Sequence, residues 1–128
     1  MAKVVFACAE NKKRSQLAEA IFNHLARQSQ SISGGTFPAH KIDPLTIKSL
    51  KEIGLPTKNL YPKRLNDSDL NSADVIVSFG CLNHPYLMPK GKFQEWQIKD
   101  PETIEEFRQA RNDITDRIKK LLKQIDNN

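Results

Sequence analysis

Cys8 and Arg14, separated by five residues and followed at once by Ser15, are the residue types from which a nucleophile and an oxyanion clamp can be built. A thiol with its reference pKa of about 8.5 is only slightly ionised at neutral pH. A helix N-terminus and a fixed guanidinium can bring that value into the range of roughly 3.5–7.5, where the thiolate dominates in the cell. Arg14 offers a planar fork of donors that matches two oxygens of a tetrahedral anion. The Ser15 hydroxyl can donate to the thiolate and stabilise it as a leaving group. Asn11 tolerates left-handed backbone angles and can hold the loop curled. Lys12 and Lys13 are expected to add a solvated positive rim that contacts the anion and offsets Glu10, whose carboxylate repels a bound oxyanion. The same spacing also fits a plainer arrangement, a buried cysteine at a strand end and an exposed arginine on a helix.

The flanking segments decide whether such residues can converge. Val4-Val5-Phe6-Ala7 is a short apolar run suited to a buried strand. Leu17, Ile21, Phe22 and Leu25 share one helical face, which predicts a helix beginning near Ser15. The residues between them form a strand-to-helix turn whose unpaired N–H groups and helix dipole favour an anion. Further on, Gln30 to Gly35 reads as a second strand. Asp43 caps a helix that has Pro44 in first position and Gly54 beyond its end. Leu55 to Leu65 is a connecting loop, and Asn66 to Leu70 a short polar helical turn. Ala73 to Phe79 is the third strand and Phe93 to Ile98 the fourth. From Pro101 on, Ile104, Phe107, Ile114, Ile118, Leu121 and Ile125 keep helical spacing. Alternating strands and helices imply an α/β fold, a four-stranded parallel sheet with helices on both faces. In such sheets ligands sit beyond the carboxyl ends of the strands, where both Cys8 and Cys81 fall.

The 128 residues suit one domain spanning 1–128. A hydrophobic fraction of 38% and a charged fraction of 27% fit a soluble globular chain. No apolar run is long enough to span a membrane, and the start lacks a signal-peptide pattern. With two cysteines and no export signal, a reduced cytoplasmic setting is expected. The net charge of +5 favours anionic ligands, but Lys and Arg are spread along the chain and no nucleic-acid motif accompanies them. His24 and His40 read as surface residues, while His84 lies near Cys81. No His/Cys cluster has metal spacing, so neither a metal nor a bound cofactor is expected.

Taken together, Cys8, Asn11, Arg14-Ser15 and Ala18-Glu19-Ala20 resemble the active-site turn of the low-molecular-weight protein tyrosine phosphatase superfamily, which includes thioredoxin- and glutaredoxin-coupled arsenate reductases. Ser33-Gly34-Gly35-Thr36, Asp43-Pro44 with Ile53-Gly54, and Asp74-Val75-Ile76-Val77-Ser78 are similar to later parts of the family pattern, so the resemblance runs nearly end to end. Trp96 through Asp100-Pro101 resembles the loop that carries the family's general acid. By itself Asp100-Pro101 reads as a helix cap. The resemblance implies that Asp100 protonates a leaving oxygen and then activates water, and a cap and an acid can coexist.

The Ser78-Phe79-Gly80-Cys81 order, Gln94 to Pro101 and Glu106-Phe107-Arg108 look most like the reductase branch, in which a redox cysteine occupies the loop of Cys81. This implies attack of Cys8 on arsenate, resolution by Cys81 or by glutathione, and resetting by thioredoxin or glutaredoxin. Cys81 also suits a small buried residue at a strand end. Leu82 to Met88 offers no third cysteine, and Lys13 stands where the family has an extra one. A phosphatase would use Cys8, Asn11, Arg14, Ser15 and Asp100 on phosphotyrosine. However, Phe37 to Ile42 lacks the usual Trp or Tyr, leaving Phe37 and Tyr86 as substitutes. A third reading, suggested by Glu10, is a catalytically weak anion-binding regulatory protein.

Overall fold

The computed structural model describes residues 2–80 and 92–126. Cys81, His84 and Tyr86 lie outside the described residues. Four strands, β1 (Lys3–Cys8), β2 (Gln30–Gly35), β3 (Val75–Ser78) and β4 (Phe93–Glu95), form one parallel sheet in the order β2-β1-β3-β4. Four helices, α1 (Arg14–Leu25), α2 (Pro44–Lys51), α3 (Asp67–Ser72) and α4 (Ile104–Ile125), connect and follow the strands.

The period of two along a strand sorts β1 between the two faces. Val4 and Phe6 join Leu17, Ile21 and Phe22 of α1, Leu50 of α2 and Phe107, Ile114 and Ile118 of α4 in the larger core. Val5 and Ala7 face the other way, with Ala73, Ile76 and Leu70 of α3. Among the described residues, helices therefore cover both faces, three on one side and a single short one on the other. Among the described residues no helix is long and apolar enough to cross a membrane.

Phe6 organises the larger core. Its ring lies 5.9 Å from Phe22, 6.3 Å from Phe79 and 5.9 Å from Trp96. Burying each such ring contributes about 1.5–3 kcal/mol. Phe79 and Trp96 thereby fix the strand ends that approach the site.

The two Asp-Pro pairs sit differently at their helix starts. Asp43 accepts from Leu45 N–H at 2.9 Å, so it caps α2 as expected. Asp100 does not cap α4. Thr103 does, in a capping box with Glu106, three residues further on. This leaves Asp100 and Pro101 outside the helix, on the approach to it. The fourth strand is also shorter than the expected Phe93 to Ile98, because Trp96 and Ile98 turn into the larger core.

The outer edge of β2 is closed by side chains of α1. Asn23 bonds both Ser31 N–H (2.8 Å) and Ser31 C=O (3.1 Å), and Glu19 accepts from Ser33 N–H at 2.6 Å.

Candidate active site

Between β1 and α1 the chain makes one tight curl, with Asn11 in the left-handed region at φ 53°. The carbonyls of this curl are all engaged on its outside. Cys8 C=O accepts from Thr36 N–H at 3.1 Å, Ala9 from Phe37 at 2.7 Å and Glu10 from Ala39 at 2.9 Å. Asn11 C=O accepts from Gln16 Nε2 at 3.0 Å. Lys12 C=O accepts from Asp43 N–H at 3.2 Å and Thr46 Oγ1 at 2.7 Å, and Lys13 C=O from Leu17 N–H at 2.9 Å. In a trans peptide the C=O and the next N–H point in opposite directions. Outward carbonyls at 8–13 therefore turn the amides of 9–14 inward, where Asn11 N–H donates to Cys8 Sγ at 3.0 Å. No side chain caps the N-terminus of α1, so its positive end opens into the same space. The result is a preorganised anion cradle.

Gly35, at the end of β2, makes this close approach possible. A Cβ there would stand 2.4 Å from Ala9 C=O and 3.2 Å from Asn11 Cβ.

Cys8 is buried at the floor of the curl. Ser15 Oγ lies 2.8 Å from its sulfur, and Asn11 Nδ2 donates to that Oγ at 2.8 Å. An N–H on the sulfur favours the thiolate over the thiol. The residues Cys8 through Arg14 and Asp100 line a cavity of about 370 Å³.

Arg14 is held from behind. Its Nη1 donates to Phe79 C=O at 2.9 Å and Ile98 C=O at 2.7 Å, and its Nη2 lies 3.7 Å from Asp100 Oδ1. The guanidinium is thus fixed by the ends of β3 and of the segment after β4. Lys12 remains partly exposed and pairs with Glu10 at 3.3 Å, offsetting its charge as expected. Lys13 departs from the expected solvated rim. Its side chain is mostly buried, and Nζ donates to Pro101 C=O at 2.9 Å. Behind Asp100, the Lys99 ammonium and the N–H groups of Glu102 and Thr103 hold the Glu106 carboxyl down at about 2. Glu106 therefore stays ionised at neutral pH and ties this segment to α4.

Sequence reasoning missed Gln16 and Lys63. Buried Gln16 donates through Nε2 to Asn11 C=O, Asn11 Oδ1 and Tyr61 C=O, and the Lys63 main chain also reaches Asn11. A glutamine after a serine at a helix start carries no signal of burial. Phe37, by contrast, stands 80% exposed beside the curl.

Comparison with known proteins agrees with this geometry. Residues 3–128 match the family model described as low molecular weight phosphotyrosine protein phosphatase. The chain is 26% identical to a glutaredoxin arsenate reductase of Synechocystis, over 98% of this chain and 99% of that protein. Among solved structures it resembles an arsenate reductase in its phosphate-binding state, with 27% identity, a TM-score of 0.86 and coverage of 98% and 99%. It also resembles a thioredoxin-dependent arsenate reductase of Corynebacterium glutamicum, with 30% identity and a TM-score of 0.83. There it covers 98% of this chain but spans only 62% of that longer protein. With a parallel sheet of matching fold, and with relatives that are enzymes over nearly the whole length, the chain belongs to the low molecular weight phosphotyrosine protein phosphatase family.

Proposed function

We propose that this enzyme reduces arsenate, with Cys8 as nucleophile. The observation that carries the reading is the Asn11 N–H donated to Cys8 Sγ at the floor of a cradle of inward amides. The near full-length similarity to arsenate reductases favours this reaction within the family. The Cys8 thiolate attacks As(V) and forms a sulfur–arsenic bond, while a hydroxyl takes a proton from the Asp100 carboxyl and leaves as water. The cradle amides and Arg14 hold the three remaining oxygens. A second thiolate, from Cys81 or an external thiol such as glutathione, then attacks Cys8 Sγ. The sulfur–arsenic electron pair passes to arsenic, so arsenite leaves as As(III) and the two sulfurs are oxidised to a disulfide. A thioredoxin- or glutaredoxin-type dithiol restores the thiols.

One observation favours a second reading, phosphomonoester hydrolysis on the same residues. Phe37 stands exposed beside the cradle, where an aryl group can stack. Asp100 would then protonate the leaving oxygen, and water would resolve the phosphocysteine.

Intact mass and arsenite release, measured after mixing reduced protein with arsenate with and without glutathione, separate the readings. Loss of two hydrogens, or a glutathione adduct, with matching arsenite supports reduction. Cys81→Ser then distinguishes an internal from an external resolving thiol. An unchanged thiol mass with hydrolysis of p-nitrophenyl phosphate, lost in Cys8→Ser, supports the phosphatase. Neither activity in a protein that binds phosphate leaves the regulatory reading.

A further inference from the structure

We infer that Lys13 is a positioning residue that latches the Asp100–Pro101 segment onto the anion cradle. The inference rests on the reading above only in taking Asp100 to work at that site, and it holds for either reaction.

The Asp100 side chain is 54% exposed, so packing does not set its direction. Two cations face it: Lys13 Nζ at 3.6 Å from Oδ2 and Arg14 Nη2 at 3.7 Å from Oδ1. A solitary exposed pair at such distances would hold it weakly. Lys13, however, has three partners at once. Its ammonium donates to Pro101 C=O at 2.9 Å, faces the Asp100 carboxylate, and lies 6.0 Å from the Phe107 ring centroid. Its side chain is 16% exposed, against 32% for neighbouring Lys12, so its stem is committed to this path.

The other ties on this stretch act elsewhere. Arg14 Nη1 holds Ile98 C=O, which lies before Asp100. Glu106 gathers the Lys99 ammonium and the Glu102 and Thr103 amides, which fastens the stretch to its own helix. Among the described residues, the Lys13 hydrogen bond is the direct tie between the cradle and the backbone next to Asp100. Lys13 also carries the carbonyl that opens the hydrogen bonding of α1. One residue therefore joins the helix that stabilises the anion to the segment that presents the carboxylate. In the latch its ammonium acts through Pro101 and Asp100 and not as a ligand of the oxyanion.

The experiment compares wild type, Lys13→Met, Lys13→Arg, Asp100→Asn and the Lys13→Met/Asp100→Asn double variant. Hydrogen exchange of a peptide covering residues 97–103, followed in anion-free protein, is expected to quicken several-fold in Lys13→Met and to stay near wild type in Lys13→Arg. For whichever reaction wild type performs, Lys13→Met is expected to lower kcat/KM about tenfold, with Lys13→Arg recovering most of it. The double variant should then be no slower than Asp100→Asn. Competitive inhibition by inorganic phosphate should change less than about twofold in Lys13→Met. Unchanged exchange, additive losses, or weakened phosphate binding in step with the rate would each overturn the latch. A wild type that neither turns over nor binds phosphate would sink the proposed function instead, and exchange alone would then decide the latch.

Discussion

The main-chain N–H of Lys63 donates to Asn11 Oδ1 at 2.9 Å, and this bond fixes the orientation of the Asn11 amide beside Ser15 and Cys8. A main-chain N–H can only donate, so the Asn11 amide must place its oxygen toward Lys63 and Gln16. Its Nδ2 then faces Ser15 Oγ at 2.8 Å and donates to it. Toward an ionised Cys8 Sγ, which has no hydrogen to give, the Ser15 hydroxyl 2.8 Å away is the donor. The thiolate thus receives an O–H as well as the Asn11 N–H, and both favour the ionised form.

Ser15→Ala should therefore raise the pH midpoint of Cys8 alkylation by iodoacetamide by about one pH unit, the effect of losing one charge-assisted hydrogen bond. Circular dichroism should stay unchanged. A midpoint that does not move would mean that the hydroxyl donates elsewhere.

Gly35→Ala tests the cradle from outside the cavity. The added methyl meets Ala9 C=O at 2.4 Å, so either β2 or the curl must shift. Overpacking of this kind costs about 1–3 kcal/mol. Misplaced amides should lower kcat/KM at least tenfold. Chemical denaturation and steady-state kinetics read the two effects, and a variant with normal kinetics would show that the curl tolerates displacement.

Acid should loosen the tie between Asp126 and residues Arg27 to Ser29. Burial raises the Asp126 carboxyl, but donors from Gln28 N–H, the Ser29 hydroxyl, Arg27 N–H and Ser29 N–H outweigh it and hold the group at about 2. The folded value lies below the ordinary carboxylate value of about 3.9, so this stabilisation is fully present above that pH and fades as pH falls toward 2. Asp126→Asn should have a lower Tm than wild type at pH 7, with the gap closing between about pH 4 and 2. A gap that is independent of pH would assign the effect to shape and not to charge.

Much of the fold could be read from local chemistry. Alternating burial in β1, the Asp43-Pro44 start and the 3.6-residue period of α4 are short-range signals, and each element forms where they act. The start of α4 was misread because two signals compete there. Asp100-Pro101 is one, but Thr103-Ile104-Glu105-Glu106 is a reciprocal capping box, which satisfies two orphan groups where a single cap satisfies one. Within the site, Cys8, Asn11, Arg14 and Ser15 are neighbours in sequence, and their spacing brings them together. Distant partners of Arg14, Asn11 and Lys13 come from Phe79, Ile98, Lys63 and Pro101, and all four offer main-chain groups. A main-chain donor or acceptor leaves no trace in residue identity, so that half of the site emerges only from the fold.

The outward carbonyls of the curl have a consequence for how this enzyme can evolve. Three successive ones are held by amides of residues 36–39, and the next anchor on that strand of chain is Asp43. The segment that carries exposed Phe37 is thus also the scaffold that keeps the amides inward. Lengthening or shortening residues 36–43 to suit a new substrate would break the register of these bonds and dismantle the anion site at the same time. New specificity on this backbone is therefore open to side-chain exchange at exposed positions such as Phe37, and closed to insertion or deletion.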